Sequence, residues 1–463
     1  MNRIALSSLT AFFVASSFAQ PCEPDWNTAI GNPGATGGYV APIVPWDDGN
    51  GEKLYVGGSF TRAGNLATAD YVARWDRTTG AWSALGTGIS PGNTNAYVTS
   101  ILPFNSGAGP RLVVGGWYAS AGGVANTACL AMWNGTAWQS LGTGWTSTVR
   151  GAVWAMTEWN GELYIGGQIF PAGANVPEGA MAHWNGSTWT GVPSLMTGFS
   201  PSIFAFAKFD DGSGEESLYV GGRFNDMNGT PDTVGIARWD GAAWHSVGRG
   251  FTSMNSIMGV FDLHVFDHGA GPALYASTYN LLVPGQSPPG GFIACQIVKW
   301  NGSTWSQVGD WLGTGVVEDI EEFDDGSGAT LYIGGQALPD IHYFNKLENG
   351  QWVVVGGGFT AVAPPWPGVF GLGAWGDSLY VGGTFTDQEG PPATNIVAWQ
   401  GCAAPCVGDV DSDGDVDLQD LAFLLAHFGT PSGASAADGD TDGDGDVDLQ
   451  DLANLLGRFG ESC

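Results

Sequence analysis

The chain has 463 residues, 75 of them Gly and 21 Trp, with only 13% charged side chains; this suits many short strands joined by tight turns and excludes a helical bundle. A formal net charge of -31 excludes nucleic acid as a partner, because such a surface repels phosphate, and favours cations. The class expected is all-β.

In chain order, the first segment carries Arg3, an apolar run from Ile4 to Val14 and small residues up to Ala19. That is the layout of an export signal spanning 1–19, so a mature chain starting near Gln20, secreted or held at the cell surface, is expected. The run is too short to span a membrane, and no other segment is long enough.

One phrase then recurs: LYVGG at Leu54, LVVGG at Leu112, LYIGG at Leu163, LYVGG at Leu218, LYAST at Leu274, LYIGG at Leu331 and LYVGG at Leu379. The starts lie 48 to 58 residues apart, the spacing of propeller blades, and seven phrases imply seven blades over residues 20–401. The unit from Ile203 to Gly248 reads as four strands: IFAFAKF, LYVGG, IARWD and WHSVG. Asn-Gly after Trp133, Trp184 and Trp300 predicts type I′ hairpins, with positive φ at both central residues. Asn134, Asn185 and Asn301 also match a glycosylation sequon, but a turn accounts for them.

The last unit stops at Gly401-Cys402 without a fourth strand, whereas Trp26-Asn27-Thr28-Ala29-Ile30-Gly31 copies the fourth-strand pattern of Trp138 to Gly142. The N-terminal strand is therefore expected to close the ring. Cys402 follows Trp399 and Cys22 precedes Trp26, so a Cys22–Cys402 disulfide is predicted, and by elimination Cys406 and Cys463 bracket the acidic tail. Cys129 and Cys295 occupy similar third-strand positions in non-adjacent blades and are expected as buried free thiols. In its blade plan the repeat resembles kelch-like and galactose-oxidase-like propellers, an architectural resemblance that carries no function by itself.

The tail holds fourteen acidic residues against one Arg between Gly408 and Cys463. Two segments, DVDSDGDVDLQD from Asp409 and DTDGDGDVDLQD from Asp440, fit a twelve-residue calcium loop, so two Ca2+ ions are expected. Carboxylates stand at positions 1, 3 and 5 (Asp409, Asp411, Asp413; Asp440, Asp442, Asp444) and Gly414 or Gly445 at position 6. The carbonyl of Asp415 or Asp446 serves position 7, Asp417 or Asp448 position 9 and Asp420 or Asp451 position 12. Each loop runs into one short apolar helix, from Leu421 and from Leu452. This doubled single-helix pattern resembles the type I dockerin modules of cellulosome proteins, with Gly401-Cys402 and Cys406 ahead of it as in Gly-Cys variants. The resemblance implies a small α-helical docking domain over 402–463 with a cohesin-like protein or cell-surface scaffold as partner. It also implies that the pairs Leu418-Gln419 and Leu449-Gln450 help to choose that partner, in either of two orientations. Leu-Gln departs from the Ser-Thr common there, which leaves the partner open.

In the ring, Trp117, Tyr118, Trp145, Phe251, Tyr279, Phe359 and Trp366 fall in loops on the ligand-presenting face, where they either stack on sugars or plug the core between blades; the second reading is preferred. Ionisable residues break the repeat at Asp262, His264, Glu318, Asp319, Glu321 and Glu322, on strands that line the channel. Of these, Asp262, His264, Asp319 and Glu321 stand at matching positions, where a cation or polar ligand competes with the preferred reading of solvated channel groups. Six scattered His and 14 basic residues give neither a copper-radical centre nor a hydrolase or lyase constellation, so no catalytic or cofactor-binding residue is assigned. The reading is an exported, non-catalytic binding or adhesion propeller tethered by a calcium-dependent, dockerin-like module; the alternative is a carbohydrate-active enzyme, a polysaccharide hydrolase or lyase, carried by that module.

Overall fold

The structure, a computed structural model, describes residues 24–460 except 67–68, 93–94, 106, 108, 143–149, 171–179, 255–257, 288–294, 337–342, 360–366, 386–392, 403–407, 411–415, 436–437 and 443, and without the side chains of 150 and 170. It is an all-β propeller with two short helices near its C-terminal end. Four-stranded antiparallel sheets follow one another along the chain. Their innermost strands are Val40–Asp47, Tyr97–Asn105, Arg150–Trp159, Ser202–Phe209, Gly259–Asp267, Val316–Phe323 and Gly368–Trp375. Each packs beside the innermost strand of the next sheet, and the last packs against the first, which closes a ring. No helix among the described residues is long and apolar enough to cross a membrane.

The recurring Gly-Gly has a physical reason. A Cβ at Gly57, Gly115, Gly166, Gly221 or Gly334 would come within 2.4 to 2.8 Å of Val98, Val153, Ile203, Val260 or Val369 on the next innermost strand. The first glycine is thus the point where one sheet touches the next. A Cβ on the second glycine would strike the carbonyl of its own inner strand at 2.0 to 2.2 Å, as Gly58 would Tyr39 and Gly167 would Ala152. There the inner strand is bulged: the register shifts between Val153 and Ala155, Ile203 and Ala205, Val260 and Asp262, Val317 and Asp319, and Val369 and Gly371.

Further out, the fourth-strand tryptophans tie neighbouring sheets together. Trp138, Trp189, Trp244, Trp305 and Trp352 donate Nε1–H at 2.5 to 3.1 Å to the carbonyls of Leu85, Leu141, Pro193, Val247 and Val308, each at the end of the preceding sheet. Trp26 does the same to Gly356 at 2.9 Å, across 330 residues. Its strand, Asp25–Asn27, pairs antiparallel with Ile396–Gln400, Trp26 opposite Trp399. The first-hairpin tips carry a second repeated device. Asp48, Asp211 and Asp325 accept from the second-strand hydroxyls of Tyr55, Tyr219 and Tyr332 and from the third-strand cations Arg74, Arg238 and Lys346.

The Asn-Gly turns differ from the type I′ expectation. Trp133 faces Trp138 across four intervening residues, and only the glycine is left-handed, with φ of 92°, 92° and 89° at Gly135, Gly186 and Gly302. Asn134, Asn185 and Asn301 act through their side chains, whose oxygens accept from the main-chain N–H two and three residues on. Cys129 and Cys295 are free and buried. Cys402 is disulfide-bonded, while Cys22, Cys406 and Cys463 lie outside the described residues, as does the expected signal segment.

Candidate functional site

The acidic tail folds into two matching halves. Helix α1 (Leu418–His427) starts at the N-cap Asp417 and α2 (Leu449–Gly457) at Asp448, each in a reciprocal capping box with Asp420 or Asp451. Val410, Val416, Leu424, Val447 and Leu455 make a small shared core. The halves also exchange main-chain bonds: Gly460 N–H donates to the Val416 carbonyl at 2.7 Å and Gly429 N–H to that of Val447 at 2.8 Å.

In the second loop the carboxylates of Asp440, Asp442 and Asp444 converge, each group's oxygens within 4.8 Å of one another, and so do those of Asp446, Asp448 and Asp451. The twelfth-position Asp451 is 1% exposed. It accepts Thr441 N–H on Oδ1 and Asp448 N–H on Oδ2, both at 2.7 Å. Asp420 repeats this with Val410 N–H at 2.6 Å and Asp417 N–H at 2.7 Å. Asp451 Oδ1 accepts in addition from Thr441 Oγ1 at 3.2 Å and from Asp442 N–H at 3.3 Å, so the loop backbone is wrapped around this carboxylate. Besides the carbonyl expected at position 7, Asp446 brings its carboxylate into the cluster, where Oδ1 is buried without a hydrogen-bond partner. Burial and the surrounding Asp444, Asp448, Asp451 and Asp442 push its pKa up. An orphaned buried oxygen among like charges is the environment that a hard divalent cation, taking oxygen ligands only, relieves. In the first loop Asp409, Asp417 and Asp420 are described; Asp411, Asp413, Gly414 and Asp415 lie outside the described residues.

The expected partner-binding leucines are open to solvent, Leu418 at 70% and Leu449 at 72% exposure. Leu425 with Leu456 and Phe428 with Phe459 are likewise matched and exposed, whereas the exposed Phe423 has Asn454 as its counterpart, so the two halves offer similar but not identical apolar surfaces. Among the aromatics expected in loops, Tyr118, Phe251 and Phe359 are core, as preferred; Trp117 and Tyr279 instead end the strands Pro110–Trp117 and Pro272–Tyr279 and are half-buried, and Trp145 and Trp366 lie outside the described residues.

In the channel, Asp262 and Asp319 occupy the same register position just past the bulge, and His264 and Glu321 share another. Asp262 Oδ2 accepts Ile320 N–H at 2.9 Å and Asp319 Oδ2 accepts Leu372 N–H at 2.7 Å, so each braces the next inner strand. Burial raises the pKa of both, and Asp319 is raised further by Asp262 and Glu321. Burial lowers that of His264.

At the bulged end the channel widens into a cavity of about 420 Å3. The extra residue of each bulge lines it: Trp154, Phe204, Phe261, Glu318 and Phe370. Phe204 stacks on Phe261 at 5.2 Å, and Trp154 meets Phe204 edge-on at 6.1 Å. The Arg223 guanidinium sits 5.4 Å above Phe204. Glu318, bonded by Gln336, has its pKa pushed up to about 7 by burial. Reading the loops alone missed this cavity. The signal is two consecutive non-small residues, as in Val153-Trp154 or Ile203-Phe204, which breaks strand alternation and marks a bulge.

No protein-family model matches the chain, and no curated protein does. Among solved structures it is similar to a GH74 xyloglucanase from Xanthomonas campestris at 14% identity and a TM-score of 0.44, over 83% of this chain and 55% of that one, so it spans about half the length of that enzyme. It is similar to the six-bladed, fucose-recognising lectin of Aleuria aurantia at 15% identity and 0.34, over 71% and 98% of the two chains. A likeness to BamB from Moraxella catarrhalis stands at 12% identity and 0.31, over 79% and 99%.

Proposed function

We propose that the chain is an exported, non-catalytic binding protein: a seven-bladed ring over residues 20–401 presents a ligand site, and a dockerin-like module over 402–463 docks it onto a protein partner when loaded with two calcium ions. Residues 1–19 act as the cleaved signal, Cys22 pairs with Cys402, and Cys406 with Cys463. The observation that carries the tethering role is the second acidic loop, in which Asp446 Oδ1 is buried without a hydrogen-bond partner and its carboxylate converges with those of Asp448 and Asp451, beside a second convergent trio of Asp440, Asp442 and Asp444. Two halves with matched caps, matched twelfth-position aspartates and matched exposed Leu418 and Leu449 support a pseudo-twofold plug. Gln419 and Gln450, beside those leucines, complete the surface that selects the partner.

Calorimetry of the full mature chain tests this reading. Two calcium ions are expected to bind, with a chelator abolishing the protease resistance of the tail and Asp420→Asn or Asp451→Asn each removing one ion. No ion uptake sinks it. The rival reading, a polysaccharide-degrading enzyme, draws on Glu318, whose pKa near 7 suits a general acid. Asp262 and Asp319, however, brace neighbouring strands and do not line the cavity, where Glu318 is the one carboxylate among the described residues. Sugar release from polysaccharides by the full chain would favour the rival.

A further inference from the structure

The cavity at the bulged end of the channel has a volume typical of a small-molecule site. Half-buried aromatic faces follow one another around it from Trp154 through Phe204 to Phe261, and flat faces of this kind stack on the apolar C–H faces of a pyranose ring. Gln168, bonded to the Ser200 hydroxyl at 2.6 Å, and Gln336, bonded to Glu318, also line the cavity from different sheets and supply the amide and hydroxyl groups that hydrogen-bond sugar hydroxyls. Arg223 adds the discriminating charge. Its guanidinium lies over Phe204, its Nε is buried without a hydrogen-bond partner, and it forms no ion pair among the described residues. A half-buried cation without a counter-ion is costly until an anion arrives. One guanidinium matches one carboxylate, whereas a dianionic phosphate would meet a single cation inside a chain of net charge -31.

Within the reading of the chain as a binding propeller, we propose that this cavity binds an acidic sugar: a pyranose bearing one carboxylate lies against Phe204 and Phe261, with its carboxylate on Arg223. The bulges are what make the site. Each turns an extra side chain into the cavity, so the ring presents Trp154, Phe204 and Phe261 from three successive sheets without any long loop.

The test titrates the calcium-loaded full chain with glucuronate and galacturonate disaccharides and with the matching neutral glucose and galactose disaccharides, read by calorimetry. Acidic disaccharides are expected to bind, and the neutral ones at least about tenfold more weakly. Arg223→Gln should remove that preference, Arg223→Lys should keep part of it, and Phe204→Ala should weaken both classes. Thermal midpoints of the three variants control for folding. Equal binding of acidic and neutral sugars, or acidic binding unchanged in Arg223→Gln and Arg223→Lys, overturns the proposal, as does no binding of either class. If calcium uptake persists in those outcomes, the tethering reading stands; if sugar binds but calcium does not, the tethering reading fails and this one stands.

Discussion

Glu321 faces the channel from the strand Val316–Phe323, and burial pushes its carboxyl from 4.5 to about 7, against the Ala374 backbone N–H and with help from Asp262 and Glu322. The folded chain thus holds this proton more tightly than the unfolded chain does. The stabilisation is present in full below about 4.5 and is lost as pH rises through about 7. Glu321→Gln is expected to match the parent near pH 4.5 and to exceed it at pH 8 by at least about 1 kcal/mol. Urea titrations at the two pH values measure this, and a variant less stable at pH 8 would contradict it. The acids that break the repeat were legible in the sequence, down to the matching of Asp262 with Asp319. Their work was not, because a bond from Asp262 to Ile320 N–H joins strands 58 residues apart and leaves no local pattern.

At the scale of the strand, the first glycine of the recurring phrase marks sheet-to-sheet contact. In Gly221→Ala the added methyl meets Val260 Cγ1 at 2.7 Å, so a loss of about 1–3 kcal/mol is expected in chemical denaturation. A neutral effect would mean that the sheets slide apart at little cost. The fifth unit carries Ser277 at the equivalent position and turns its hydroxyl to the Asp262 N–H at 2.9 Å, within its own sheet. The phrase gave the strand order because its composition is local. The Asn-Gly turns were misread for a related reason: the dipeptide signals a two-residue loop, yet the pairing of Trp133 with Trp138 sets a four-residue one. Bulges escaped notice because a single extra residue changes which face a side chain takes while barely altering composition.

For the molecule as a whole, Trp26 holds the two ends of the ring together. It packs on Phe359 and Trp399, both at 5.1 Å between ring centroids, and donates to the Gly356 carbonyl. Trp26→Ala is expected to cost about 3–5 kcal/mol and to open the Gln351–Val354 and Ile396–Gln400 strands to protease before the rest of the ring. Limited proteolysis followed by mass spectrometry reads which strands are cut first; cleavage spread evenly around the ring would contradict a seam. The four-strand plan of this ring and the paired acid loops of the tail were visible from repetition alone. The cavity was not, since its walls come from Trp154, Phe204, Phe261 and Arg223, which only ring closure brings together.

Because Asp25–Asn27 pairs with Ile396–Gln400, with Asn27 and Gln400 lying 373 residues apart, the sheet they share is complete only once both segments have been made. Until then the final sheet keeps a bare edge, with unpaired amide and carbonyl groups along Ile396–Gln400. A chain in which the two segments have not yet met therefore stays an open crescent that proteases and sticky strands can reach.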